Sequence, residues 1–125
     1  KKILSLKKSY VEKKGDQFSS IIEFNSGVLG SYNSFWYSPG GWSVQLFGEG
    51  VTVEFKPLES AIWKDIYFKE HKIIPDTHDI IFKPGFYKQM KTFLKMIKTG
   101  ELDWPGQNLL DSLETMKLSK SISKQ

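Results

Sequence analysis

The sequence predicts an α+β fold: an open, mostly antiparallel β-sheet of five to six strands with helices packed on one face. Three observations predict it. A glycine-punctuated, aromatic-rich block from Ile21 to Leu58 alternates apolar and polar residues with the period of a strand. From Phe86 the apolar period becomes that of a helix, and helical character runs to Ile122. Short runs separated by Gly, Pro and Asn signals make antiparallel pairing the natural arrangement.

The elements follow in order. Lys2 to Glu12 carries Ile3, Leu4, Leu6, Tyr10 and Val11 among polar residues and reads as an extended strand, turning at Lys14-Gly15-Asp16. Phe18 to Phe24 alternates strictly, and Asn25-Ser26-Gly27 is a hairpin turn into a partner strand, Val28 to Tyr37. Gly30 inside that strand predicts a bulge or a close approach of another group. Ser38-Pro39-Gly40-Gly41 breaks the chain. Trp42 to Phe47 is the next strand, Gly48-Glu49-Gly50 turns it, and Val51 to Phe55 returns with Val51, Val53 and Phe55 on one face. Ala61 to Phe68 is the last long strand, with Trp63, Asp65 and Tyr67 on one face. Lys69 to Pro84 is polar and broken by Pro75 and Pro84, so it reads as a loop with a short strand at Asp79 to Phe82. Phe86, Met90, Phe93, Leu94 and Ile97 share one helical face, and Gly100 stops that helix with Lys95 and Lys98 in its last turn. After Asp103-Trp104-Pro105 a second helix carries Leu109, Leu110, Leu113 and Met116 on one side. Leu118 and Ile122 fall off that stripe, and the tail from Lys117 is predicted to fray.

A chain of 125 residues, 39% hydrophobic and 14% aromatic, is one domain, residues 1–125, able to bury a core. It contains no cysteine, which excludes disulfides and thiolate metal sites and fits a reducing, cytoplasmic setting. No apolar run reaches the roughly 20 residues of a membrane span. The net charge of +4 comes entirely from lysine. Without arginine there is no bidentate reader of phosphate or guanine, so the charge reads as solvated surface and not as a nucleic-acid interface. The start at Lys1-Lys2-Ile3 predicts a domain excised from a longer protein.

Few motifs carry chemistry. Gly48-Glu49-Gly50 has Val53 where a dinucleotide fingerprint needs its third glycine, and it leads into a strand rather than a helix. A hairpin turn accounts for it. Pro75-Asp76-Thr77-His78-Asp79 groups a histidine with two carboxylates, but no second ligand pair accompanies it. A polar loop whose side chains satisfy backbone amides accounts for it. The aromatic run Phe35-Trp36-Tyr37, followed by Trp42, reads equally as core packing and as a surface for a ligand or a subunit, where rigid amphipathic rings are favoured.

The chain resembles the C-terminal α/β domain of the Gfo/Idh/MocA family of NAD(P)-dependent oxidoreductases. The matching residues are Ile22-Glu23-Phe24-Asn25-Ser26-Gly27-Val28-Leu29-Gly30, the Pro39-Gly40-Gly41-Trp42 turn, and Leu46-Phe47-Gly48-Glu49-Gly50 with Val51-Thr52-Val53. Gly85-Phe86 opening a helix, Phe93 to Gly100 closing it, and Asp111 to Ile122 as a final helix complete the series. Each motif alone is weak; their order and spacing cover nearly the whole chain.

The resemblance implies a substrate-side and oligomerisation domain that works with its own N-terminal Rossmann domain. In the parent that other domain binds NAD or NADP, and this fragment binds neither. The substrate is a sugar, cyclitol or related hydroxy compound, and the open sheet face makes a homo-oligomer. The family's active-site lysine, from its Glu-Lys-Pro motif, and its proton-transferring Asp and His lie upstream of Lys1. Lys56-Pro57 is preceded by Phe55 and sits on a strand, so it takes no such role. No catalytic, cofactor-binding or metal residue is assigned, and the isolated domain is expected to be inactive. Trp36, Tyr37 and Trp42 are the candidates for substrate or interface contact. The alternative is a non-catalytic ligand- or protein-binding scaffold module.

Overall fold

The computed structural model describes residues 2–124. Its elements are β1 Lys2–Lys8, β2 Gln17–Glu23, β3 Leu29–Phe35, β4 Val44–Gly48, β5 Val51–Phe55, β6 Ala61–Lys64, β7 Glu70–Ile73, α1 Thr77–Ile81, α2 Phe86–Thr99 and α3 Leu109–Lys124. The strands make two open sheets, β1-β2-β3 and β4-β5-β6-β7, and every ladder is antiparallel. The chain is therefore α+β, with two sheets where one of five to six strands was predicted. The break at Ser38-Pro39-Gly40-Gly41 falls between them, and β3 and β4 do not pair with each other. The chain divides there into two compact units, Lys1–Pro39 with Gln107–Gln125, and Gly40–Gly106.

In the first unit, alternation places Ile3, Ser5 and Lys7 opposite Ile22, Ser20 and Phe18 on one face. That face receives α3. Ile22 and Ile122 are buried there, at 5% and 7% exposure. The Ser5 hydroxyl donates to the Ile122 carbonyl at 3.1 Å and lies 2.7 Å from the Ser20 hydroxyl. Lys7 Nζ donates to the Ser123 carbonyl at 3.0 Å. These groups satisfy carbonyls that the last helical turn cannot pair internally, and the Lys7 charge suits the negative end of the helix dipole. The tail predicted to fray is thus the docked end of α3, while Leu109, Leu110, Leu113 and Met116 stand exposed. Gly30 sits in an unbroken register opposite Ile22, so no bulge forms. A Cβ there would lie 3.1 Å from the Phe24 ring, the close approach that the glycine predicts.

The β1–β2 connection is organised by Asp16, whose side chain is wholly buried. Its carboxylate accepts the backbone N–H groups of Tyr10 at 2.9 Å, Val11 at 2.5 Å and Glu12 at 2.8 Å. Its own N–H donates to the Lys8 carbonyl, and its carbonyl accepts from Trp36 N–H, both at 3.1 Å. One residue therefore ties the turn to β1 and to the end of β3.

In the second unit, Glu49-Gly50 is a two-residue hairpin loop between β4 and β5, with Gly50 at φ 69°. Such loops need positive φ, which glycine reaches without a Cβ clash. The strand predicted to run to Phe68 ends at Lys64, and β7 occupies part of the predicted loop. A turn at residues 65–69 joins them, so Trp63, Asp65 and Tyr67 do not share a strand face. Where a short strand was predicted at Asp79 to Phe82, α1 forms instead. Asp76 caps it, accepting from the N–H groups of His78 at 3.0 Å and Asp79 at 3.1 Å. Helix α2 fits its predicted bounds, and Gly100 N–H closes it on the Met96 carbonyl. It meets α1 through His78 stacked on Tyr87 at 3.9 Å and an ion pair between Lys88 and Asp76.

Burial raises the pKa of the Asp16 carboxyl, but the backbone donors of Glu12, Val11 and Tyr10 outweigh it and hold the value below 3.8. A carboxylate with a lowered folded pKa adds stability at higher pH and loses it as pH falls through that pKa. We predict that Asp16→Asn turns an NH2 group toward converging N–H donors and lowers the thermal midpoint by about 5–10 °C. Thermal melts from pH 7 to pH 2 should show a wild-type loss of stability below pH 3.8 that is reduced in the variant.

Candidate functional site

A concavity lies on one face of the second sheet. Register places Gln45 opposite Glu54, Glu54 opposite Ile62, and Thr52 opposite Lys64, so period-2 alternation brings these side chains to the same face. They floor a cavity of about 390 Å³, which Gly50, Asp65, Ile66 and Phe68 help to enclose. Thr52, Glu54, Ile62 and Lys64 are half-buried, and Gln45 is exposed. The opposite face is apolar, with Val44, Leu46, Val53, Phe55, Trp63 and Ile73. The sheet thus has a polar concave side and an apolar side.

Charge on the polar face is partly spent. Lys64 Nζ donates to Glu70 at 2.8 Å across the β6–β7 ladder. The hydrogen bond from Lys64 holds the Glu70 carboxyl below its ordinary pKa, and the same bond raises that of Lys64. Among the described residues, Gln45, Thr52 and Glu54 make no side-chain hydrogen bond or ion pair. The floor therefore offers an amide, a hydroxyl and a carboxylate to an incoming molecule.

Asp65 builds the wall. Its Oδ1 accepts from the N–H groups of Tyr67 at 2.9 Å and Lys69 at 3.1 Å. Its Oδ2 lies 3.2 Å from His71 Nε2, and the His71 ring stacks on Trp63 at 4.0 Å with planes 13° apart. Phe68 takes φ 61°, a left-handed conformation uncommon for a bulky side chain. The Asp65 bonds on either side of Phe68 hold it there.

The aromatic candidates lie elsewhere. β3 ends at Phe35, so Trp36 and Tyr37 fall in the turn after it rather than on alternate strand faces. Trp36 is 63% exposed and its ring centroid lies 6.4 Å from that of Phe18. The Tyr37 hydroxyl donates to Glu12 at 2.7 Å, and that bond raises its pKa. Trp42 belongs to the second unit and is 84% exposed. Asp76 and Asp79 spend their carboxylates on backbone N–H groups, Asp79 accepting from Gly85 at 2.8 Å. Among the described residues no three His, Cys, Asp or Glu side chains come together as metal ligands.

Gly48-Glu49-Gly50 joins two antiparallel strands, and no helix N-terminus follows it to face a pyrophosphate. Among the described residues no helix is long and apolar enough to cross a membrane. The groove residues Gln45, Thr52 and Glu54 were not singled out from sequence. Alternation around Val51, Val53 and Phe55 marked Thr52 and Glu54 as facing away from them, but not which strand lies alongside. Comparison with protein-family models, with curated proteins and with solved structures returns no match.

The His71 hydrogen bond, opposed by burial and joined by the turn N–H groups, lowers the Asp65 pKa below 3.8. We predict that His71→Ala moves the Asp65 titration upward, as followed by carboxyl-carbon NMR. Because the folded pKa is lowered, the bond's contribution is present above 3.8 and is lost as pH falls through the folded value. Asp65→Ala should speed amide exchange at Tyr67 and Lys69 about tenfold or more, by removing their acceptor.

Proposed function

We propose that this chain is the substrate-side and assembly domain of an NAD(P)-dependent oxidoreductase of the Gfo/Idh/MocA kind, acting on a sugar, cyclitol or related hydroxy compound. The observation that carries the reading is how much organised apolar surface the fold leaves open. On α2, Phe86, Met90, Phe93, Leu94 and Ile97 form one stripe and are each 48–62% exposed. On the second sheet, Val44, Leu46 and Ile73 are 45–54% exposed. Monomers seldom leave contiguous apolar patches above a few hundred Å² uncovered, and covering them contributes about 25 cal/mol per Å². Faces patterned this regularly suit a domain completed by another domain or subunit.

The ordered series of motifs from Ile22 to Ile122 directs that general reading toward this family. The chain's own contribution is to orient substrate and exclude water, which supplies rate through positioning rather than proton transfer. Hydride chemistry comes from the nicotinamide, held by another part of the parent, and no step of it runs through the residues described above. Trp36, Tyr37 and Trp42 remain candidates for subunit or substrate contact.

Two measurements test the reading. Calorimetric titration with NADH and NADPH should give no binding to this chain and saturable binding to the complete gene product. Absence of binding to the complete product overturns the oxidoreductase reading and favours a non-catalytic ligand- or protein-binding module. Alanine at Trp36, Tyr37 and Trp42 in the complete product should weaken its self-association or raise its KM by about tenfold. Unchanged sedimentation and turnover in all three variants would remove those residues from the site.

A further inference from the structure

The geometry points to the polar groove of the second sheet, rather than the exposed aromatic residues, as the site where a small polyhydroxylated molecule is held, with Gln45, Thr52 and Glu54 reading its hydroxyls. The inference takes its ligand class from the reading above and its place from the groove alone.

The argument is one of matching groups. A sugar or cyclitol hydroxyl both donates and accepts, so adjacent hydroxyls need neighbouring groups of both kinds. The Gln45 amide donates and accepts, the Thr52 hydroxyl does the same, and the Glu54 carboxylate accepts. Cross-strand pairing puts Gln45 beside Glu54, and Thr52 follows two residues before Glu54 on the same face of β5. These three have no hydrogen-bond partner among the described residues, whereas the other charged groups lining the cavity are engaged. Lys64 is held by Glu70 and Asp65 by its own turn.

Other ligand classes fit less well. An anion would face the Glu54 carboxylate, and Lys64, the cation that lines the cavity, is already held by Glu70. An apolar ligand would strip water from half-buried Thr52 and Glu54 and return no hydrogen bond. A polyol leaves carbon-bound hydrogens for the apolar wall, and Ile62, Ile66 and Phe68 supply that wall. A cavity of about 390 Å³ is at the small end of ligand sites, as a single ring requires. The Asp65-held turn sets the backbone at Phe68 before any ligand arrives, which reduces the backbone ordering cost of binding.

The test is a titration of the chain with myo-inositol and with glucose, followed in amide correlation spectra. Saturable movement of the Gln45 side-chain amide and of the Thr52 and Glu54 backbone amides is expected with at least one of them, at millimolar affinity. Thr52→Val and Glu54→Gln should each weaken that binding about 5- to 10-fold. Unmoved resonances of α2 and of Val44, Leu46 and Trp63 on the opposite face of the sheet will show, in each variant, that the second unit still folds. Movement confined to the Trp36 and Trp42 indoles, no saturable movement with either polyol, or equal affinity in wild type and both variants would overturn the groove assignment. Cofactor titration of the complete gene product separates the two ideas. Polyol binding here without cofactor binding there sinks the oxidoreductase and keeps the groove; the reverse sinks the groove alone.

Discussion

Three backbone N–H groups, those of Tyr10, Val11 and Glu12, converge on the buried carboxylate of Asp16, and the first sheet depends on that convergence. Each strand in the chain pairs with its neighbour in sequence, so the connections between strands decide which residues oppose one another. A β1 slipped by one residue against β2 would turn Ile3 outward and Leu4 toward α3. Asp16 prevents this by satisfying the donors that a buried turn leaves over. Asp65 does the same for β6 and β7, with a more exposed carboxylate and a histidine in place of the third N–H.

That dependence shapes what the chain has to offer. Once register is set, alternation sorts the side chains of the second sheet into an apolar face and a polar groove. The polar face keeps its charges neutralised along one row, Lys64 with Glu70, and leaves the adjacent row of Gln45 and Glu54 open. The apolar face and the α2 stripe carry surface that water disfavours. The second unit therefore presents a polar concave side and, on its other sheet face and along α2, uncovered apolar surface.

Much of the architecture was legible because its signals are local. The Asn25-Ser26-Gly27 turn, the Gly48-Glu49-Gly50 turn and the bounds of α2 at Gly85 and Gly100 all follow from backbone preferences within a few residues. Two local readings failed for physical reasons. Asp79 to Phe82 is apolar enough for a strand, but Asp76 caps the segment and His78 stacks on Tyr87, which stabilises a helical turn. Ala61 to Phe68 has strand composition throughout, but Asp65 bonds to Tyr67 and Lys69 compete with ladder pairing and bend the chain after Lys64.

By itself, then, the sequence determined the class of fold, the alternation of each strand and the placing of the principal turns. These are properties of neighbouring residues and of side-chain period. Only the tertiary structure decided that the strands separate into two sheets, that the end of α3 rather than its leucine stripe docks on β1 and β2, and that Gln45, Thr52 and Glu54 meet in one groove. Those outcomes depend on contacts between distant residues, such as Ser5 with Ile122 at a separation of 117 positions. Periodicity says which way a side chain faces; it does not say what will stand opposite.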